Sequence, residues 1–224
     1  MATASWLFPK DTVKFLKDLE KNNNRDWFKE HKTRYETAVR DPAEEFAERM
    51  AAALSDLTGT EQISKIFRIY RDVRFSKDKT PYNCHVHISF FSPENMKVTA
   101  RGCGTPHWFF GLETRRLVVG AGVFDFDKDE LARYRKRVEG KEGEQLQKLL
   151  DRLAKKGITM HEPALKRVPK GFDADHPREA LLRRKGLAVW NELGQPTLAT
   201  QGNVVGLCRT AFKELRPVVD WLAR

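Results

Sequence analysis

The sequence has few cysteines, no long apolar run and none of the common nucleotide or hydrolase signatures, and each lack excludes something. Its three cysteines, Cys84, Cys103 and Cys208, are far apart, odd in number and without a CxxC pair. That pattern argues against a secreted disulfide framework, and reduced thiols in a cytoplasmic protein are expected. No apolar stretch approaches the ~20 residues needed to span a bilayer. No charged segment followed by an apolar stretch opens the chain, so neither a signal peptide nor a membrane partner is expected. GxxxxGK[ST], GxGxxG, GxSxG and HExxH are all missing, and no cofactor is expected. Gly102-Cys103-Gly104 is a lone GxG that reads as a bulge or tight turn.

What is present is a chain of 224 residues, 40% hydrophobic, with a net charge of +10. That length can bury a substantial core without disulfides or a structural metal. No Gly/Ser/Pro linker and no internal repeat divides it, so residues 1–224 read as a single domain. The positive charge is uneven: +3 over residues 1–112 and +7 over 113–224. Such a balance suits nucleic acid, anionic lipid or phosphorylated small molecules, and equally plain solubility.

Periodicity orders the chain. Residues 1 to about 57 predict three helices, with Phe15, Leu16 and Leu19 forming a stripe on the first. Asn24 is placed to cap the second. Asp41, Pro42 and Glu44 predict a capping box opening the third. The period then changes to two, and Ile66–Arg71, Cys84–Phe91, Lys97–Cys103, His107–Glu113 and Arg116–Gly122 predict strands. Short turn-forming breaks between them predict antiparallel connections. Helices are expected again at 127–139 and 143–156, then a short one capped by Asp175, and one or two over 203–223 interrupted at Pro217. The fold class is α+β: a mainly antiparallel sheet with an N-terminal helical layer and C-terminal helices.

Chemistry concentrates between 65 and 82. Lys65, Arg68, Arg71, Arg74 and Lys77 fall at every third position, and Lys79 follows, against only Asp72 and Asp78. On a helix this series drifts by about 60° per step, and on a strand it alternates faces, so the bases converge only if the chain turns. Asp78 and Pro81 predict that turn. Arg71 and Arg74 offer planar forks, Lys77 and Lys79 point charges, suited to phosphate or carboxylate. Alternatively, the acids pair with the arginines and pin the loop. Asp72 among arginines should be ionised, which suits a base better than an acid.

The string Tyr70-Arg71-Asp72-Val73-Arg74-Phe75-Ser76-Lys77-Asp78-Lys79-Thr80-Pro81-Tyr82 resembles the signature of the domain-of-unknown-function family 2461. Asn22–Phe28, Gly120-Ala121-Gly122, Pro169–Phe172, Asp175-His176-Pro177 and Leu181–Lys185 resemble its other motifs. The resemblance spans nearly the whole chain. It implies one folded domain, supplies no catalytic assignment and suggests that segments 25–28, 71–82 and 169–185 act together. The expected site residues are Asp72 and His176 as catalytic groups. Arg25, Arg71, Arg74, Lys77, Lys79 and Lys185 are expected to bind ligand.

Two other constellations are weaker. Cys84, His87, Cys103 and His107 have finger-like spacing, but Cys84 and His87 would point to opposite faces of a strand, so no metal site is expected. His85 and His87 share a face, where exposure is the ordinary expectation and a base or metal the sharper one. Trp108-Phe109-Phe110 could stack bases, though aromatic runs in strands usually form core. Three functions stay open: a small phosphorylated or carboxylated anion bound, or transformed, at the basic loop; a nucleic-acid-binding module, for which no motif is seen; and an interaction domain whose charged motif is structural.

Overall fold

The computed structural model describes residues 5–95 and 104–224. The expected strand at 97–103, the GxG and Cys103 therefore fall outside the described residues, apart from Gly104. About 48% of the described residues are helical and the strands are antiparallel, so the fold is α+β. Five described strands hydrogen-bond in sequence order: β1 (Ile63–Ile66), β2 (His85–Phe91), β3 (His107–Glu113), β4 (Leu117–Val123) and β5 (Leu187–Gly194). Between β1 and β2 the register pairs Ile63 with Phe91 and Ile66 with Ile88.

The chain divides into two compact units. The first comprises residues 1–92, 109–119 and 192–213. It opens with α1 (Lys10–Lys21), whose Thr12, Val13, Phe15, Leu16 and Leu19 form one buried face at helical spacing. Asn24 caps α2 (Arg25–Glu30) as expected, its Oδ1 accepting from the Trp27 N–H at 2.9 Å. Then α3 (Lys32–Tyr35) runs through a π-helical turn, Glu36–Arg40, into α4 (Asp41–Thr58).

That continuity differs from the predicted capping box. Asp41 is itself helical, at φ −61° and ψ −43°, and caps nothing. Pro42 still sits in the first turn of α4, but the π turn ahead of it accommodates the ring without breaking the helix. Pro42 has no N–H for the Ala38 carbonyl four residues back; the buried Thr12 hydroxyl donates to that carbonyl at 2.5 Å. Around this join Phe8, Phe46 and Phe110 pack together, with Phe46 and Phe110 rings 4.3 Å apart.

The second unit comprises residues 93–108, 120–191 and 214–224. Here α5 (Lys128–Glu139) is capped by Asp127, and α6 (Lys141–Ala154) buries Leu146, Leu150 and Leu153. Arg178 ties down the end of α5, donating to the Val138 and Glu139 carbonyls at 2.8 Å. The expected helix through 176–185 shrinks to α7 (Glu179–Leu182). Its approach turn is closed by Asp173, which accepts from the Asp175 N–H, so Asp175 is not the cap. Gly122 stands at φ +137°, and a Cβ there would lie 2.1 Å from the Leu187 carbonyl oxygen. Only glycine permits that approach of β4 to β5. The last helix, α8 (Val204–Leu222), runs unbroken through Pro217.

Candidate functional site

Beyond β1 the Phe67 N–H still reaches the His87 carbonyl, at 2.9 Å. Residues 69–71 and 81–83 then form a narrow antiparallel neck. Tyr70 bridges Tyr82, the Arg71 N–H donates to the Pro81 carbonyl at 2.9 Å, and the Asn83 N–H donates to the Ile69 carbonyl at 2.7 Å. The predicted strand 66–71 is thus split into a ladder and a bridge. Pro81 can accept at this neck but not donate, and residues 72–80 leave it as a loop. Asn23 holds the neck from the α1–α2 connection. Its Nδ2 donates to the Tyr82 carbonyl at 2.9 Å and its Oδ1 accepts from the Tyr82 N–H at 3.0 Å.

Within the loop, charge is satisfied locally. Asp78 Oδ1 accepts from the Thr80 N–H at 2.9 Å, the turn expected of it. Arg71 Nη1 donates to Asp78 Oδ2 at 2.6 Å, to the Thr80 carbonyl at 3.1 Å and to the Thr80 hydroxyl. Arg74 grips Asp72 with both Nε, at 3.0 Å, and Nη2, at 2.7 Å. Lys79 Nζ donates to the Val73 carbonyl at 2.9 Å. Hydrogen bonds from Arg74 hold the Asp72 carboxyl down at about 2. Those from Thr80 and Arg71 hold Asp78 at about 2. Both are ionised at neutral pH and are weak bases there.

At the foot of the neck lies an open groove of about 380 Å³, lined by Phe67, Arg68, Tyr70, Arg71, Asp72, Asn83 and His85. Arg71 is 24% exposed here, and only its Nη1 has a hydrogen-bond partner among the described residues. Arg68 is exposed and pairs with no carboxylate among the described residues. Phe67 and Tyr70 leave ring surface open to solvent.

The two histidines of β2 are half-buried, not exposed. Their rings stack with centroids 3.5 Å apart. His87 Nε2 lies 3.2 Å from Glu113 Oε1, and Arg116 Nε donates to Glu113 Oε2 at 2.8 Å. Burial, and then the neighbouring His87, push His85 down to about 4. Burial also pushes His87 down, against the pull of Glu113. The groove wall is thus a neutral imidazole.

The other expected site residues are placed as follows. Arg25 and Lys77 are exposed, in α2 and at the loop tip. His176 and Lys185 belong to the second unit. His176 Nδ1 accepts from the Arg178 N–H at 3.1 Å, closing the turn before α7. Cys84 is half-buried, its thiol pushed up by burial, and its Sγ accepts from Asn23 Nδ2 at 3.3 Å. Among the described residues no group of three His, Cys, Asp or Glu could hold a metal, and no helix is long and apolar enough to cross a membrane. Trp108, Phe109 and Phe110 are buried, so they offer no stacking platform. Arg68, Asn83, His85 and Glu113 are not among the expected catalytic or ligand-binding residues, although Arg68 belongs to the series of bases at every third position. The His85/His87 alternation was a visible signal; Glu113 had none, since only the sheet brings it to His87.

The loop and its neck lie inside the span matched by a family model. Residues 11–221 match the model described as a conserved hypothetical protein, DUF2461. The chain belongs to that family. The match takes in Asn23, the whole 65–82 segment and the α7 region together. No curated protein matches the chain.

Proposed function

We propose that the chain binds a small oxyanion, a phosphate or carboxylate, in the groove at the foot of the 69–83 neck. The carrying observation is the half-used Arg71 guanidinium. One edge is pinned by Asp78 and Thr80, which orders the fork, while Nε and Nη2 keep hydrogen-bonding capacity beside the groove. A pre-ordered fork loses less freedom on binding. Arg68 adds a second positive charge, and the neutral His85 adds none that would need a counter-ion. Phe67 and Tyr70 suit an apolar or ring-bearing remainder of the ligand. His85 at about 4 is a weak base, so binding is favoured over turnover.

A second reading rests on Arg74, Lys79 and the pinned edge of Arg71, all of which have internal partners. On that reading the motif holds the loop for a protein partner.

The test is thermal unfolding at low salt with phosphate, small dicarboxylates, nucleotides and oligonucleotides, for wild type, Arg68→Ala and Arg71→Ala. A ligand at hundredfold excess over its Kd should stabilise by about 2.7 kcal/mol. Stabilisation by one compact anion, lost in both variants, is the expected result. Shifts with oligonucleotides alone, vanishing as salt rises, would instead mean a nucleic-acid module. No shift with any ligand, in an Arg71→Ala protein of much lower stability, would leave the loop-holding reading.

A further inference from the structure

The second unit contains a guanidinium with too little around it. Arg184 follows α7 and is 9% exposed. Its Nη1 donates to the His161 carbonyl at 2.6 Å, and its Nε is buried with no hydrogen-bond partner. Among the described residues Arg184 forms no ion pair with a carboxylate, although Glu162 is near enough to act on it through space. Burying a guanidinium without a counter-charge is costly, and buried charges are ordinarily paired.

The backbone holds Arg184 in this position. The Leu165 N–H donates to the Arg183 carbonyl at 3.0 Å, and the Phe126 N–H donates to the Lys185 carbonyl at 2.8 Å. Gly186 approaches the 124–126 segment so closely that a Cβ would lie 2.0 Å from the Phe124 carbonyl oxygen. The result is a cavity of about 260 Å³ lined by Arg184, Lys185, His161, Phe124, Asp125 and Glu162. Two cations and two carboxylates share the lining. The two cations suit a single compact oxyanion small enough to sit against them alone. A polyanion such as a nucleic-acid backbone would meet the acids as well, and they would repel it.

We propose that this cavity is a second binding site, for one phosphate- or carboxylate-sized oxyanion held by Arg184 and Lys185. It stands independently of the groove in the first unit. The anion would accept from the part of the Arg184 guanidinium that lines the cavity and supply the counter-charge Arg184 lacks.

The experiment is nitrogen-15 NMR of arginine Nε–H groups on the full chain, with the Arg184 signal assigned by through-bond connectivity. Inorganic phosphate and acetate are titrated separately at constant ionic strength. The expected result is a saturable shift of the Arg184 signal with one or both anions. Phosphate alone would identify a phosphoryl ligand, and acetate alone a carboxylate. Lys185→Ala, at an exposed position, should weaken binding at least about tenfold, and Arg68→Ala should leave it unchanged. An Arg184 signal that moves with neither anion would overturn the proposal. So would a shift that is non-saturable, or one that survives Lys185→Ala at full affinity.

Discussion

The imidazole rings of His85 and His87 lie stacked, 3.5 Å apart, with His87 Nε2 3.2 Å from a Glu113 oxygen. Glu113 is held in turn by Arg116. Charge on either ring is opposed by burial, and on His85 also by the other ring.

That arrangement makes stability pH-dependent. In the unfolded chain each histidine titrates at about 6.5. In the fold both are lowered, His85 to about 4. The unfolded state therefore binds more protons in this window. The histidine contribution is fully present above about pH 6.5 and is lost as pH falls toward about 4, amounting to about 1–3 kcal/mol. Denaturant midpoints measured across that window should fall for wild type and fall less for His85→Gln. Identical pH dependence in the two proteins would show that the pair does not titrate as described.

Thr12 and Ala38 give a test of the helical join. The Thr12 hydroxyl is the donor that reaches the Ala38 carbonyl, which the Pro42 ring nitrogen cannot serve. Thr12→Val keeps the shape and removes the donor, and should cost about 1–3 kcal/mol. Thr12→Ser should recover most of it. A Val variant with an unchanged urea midpoint would show that the carbonyl has another partner.

Asn23 is the latch on the site. Its side chain pairs with both backbone groups of Tyr82, as a neighbouring strand would. Asn23→Ala should cost about 1–3 kcal/mol and open the neck locally. Tryptic cleavage after Lys77 and Lys79, at the exposed loop, should then be faster than in wild type. Asn23→Asp, which keeps only the acceptor, should fall between. Cleavage at the wild-type rate in Asn23→Ala would mean that the neck closes without the latch.

Much of this protein was legible in its sequence because the signals were local. The stripe of Phe15, Leu16 and Leu19 marks α1, and His107–Glu113 reads as the strand it is. Asn24 caps and Asp78 turns through bonds to backbone two or three residues on. Strand β5 was missed because Trp190, Asn191 and Glu192 blur its alternation and much of it is only half-buried. The capping box at Asp41 was misread because a π turn can carry a helix into Pro42, and propensity does not register that.

The density of bases at 65–79, the α+β class and family membership thus follow from residue order alone. Which bases are spent and which stay available was decided only by tertiary structure. Arg74 meets Asp72 two residues away, but Arg71 meets Asp78 and Thr80 across a closed loop. His87 finds Glu113 from another strand, and Arg184 is buried by segments about 20 and 60 residues before it without gaining a carboxylate. Pairing and desolvation depend on distances in space, and those distances exist only once the chain has folded.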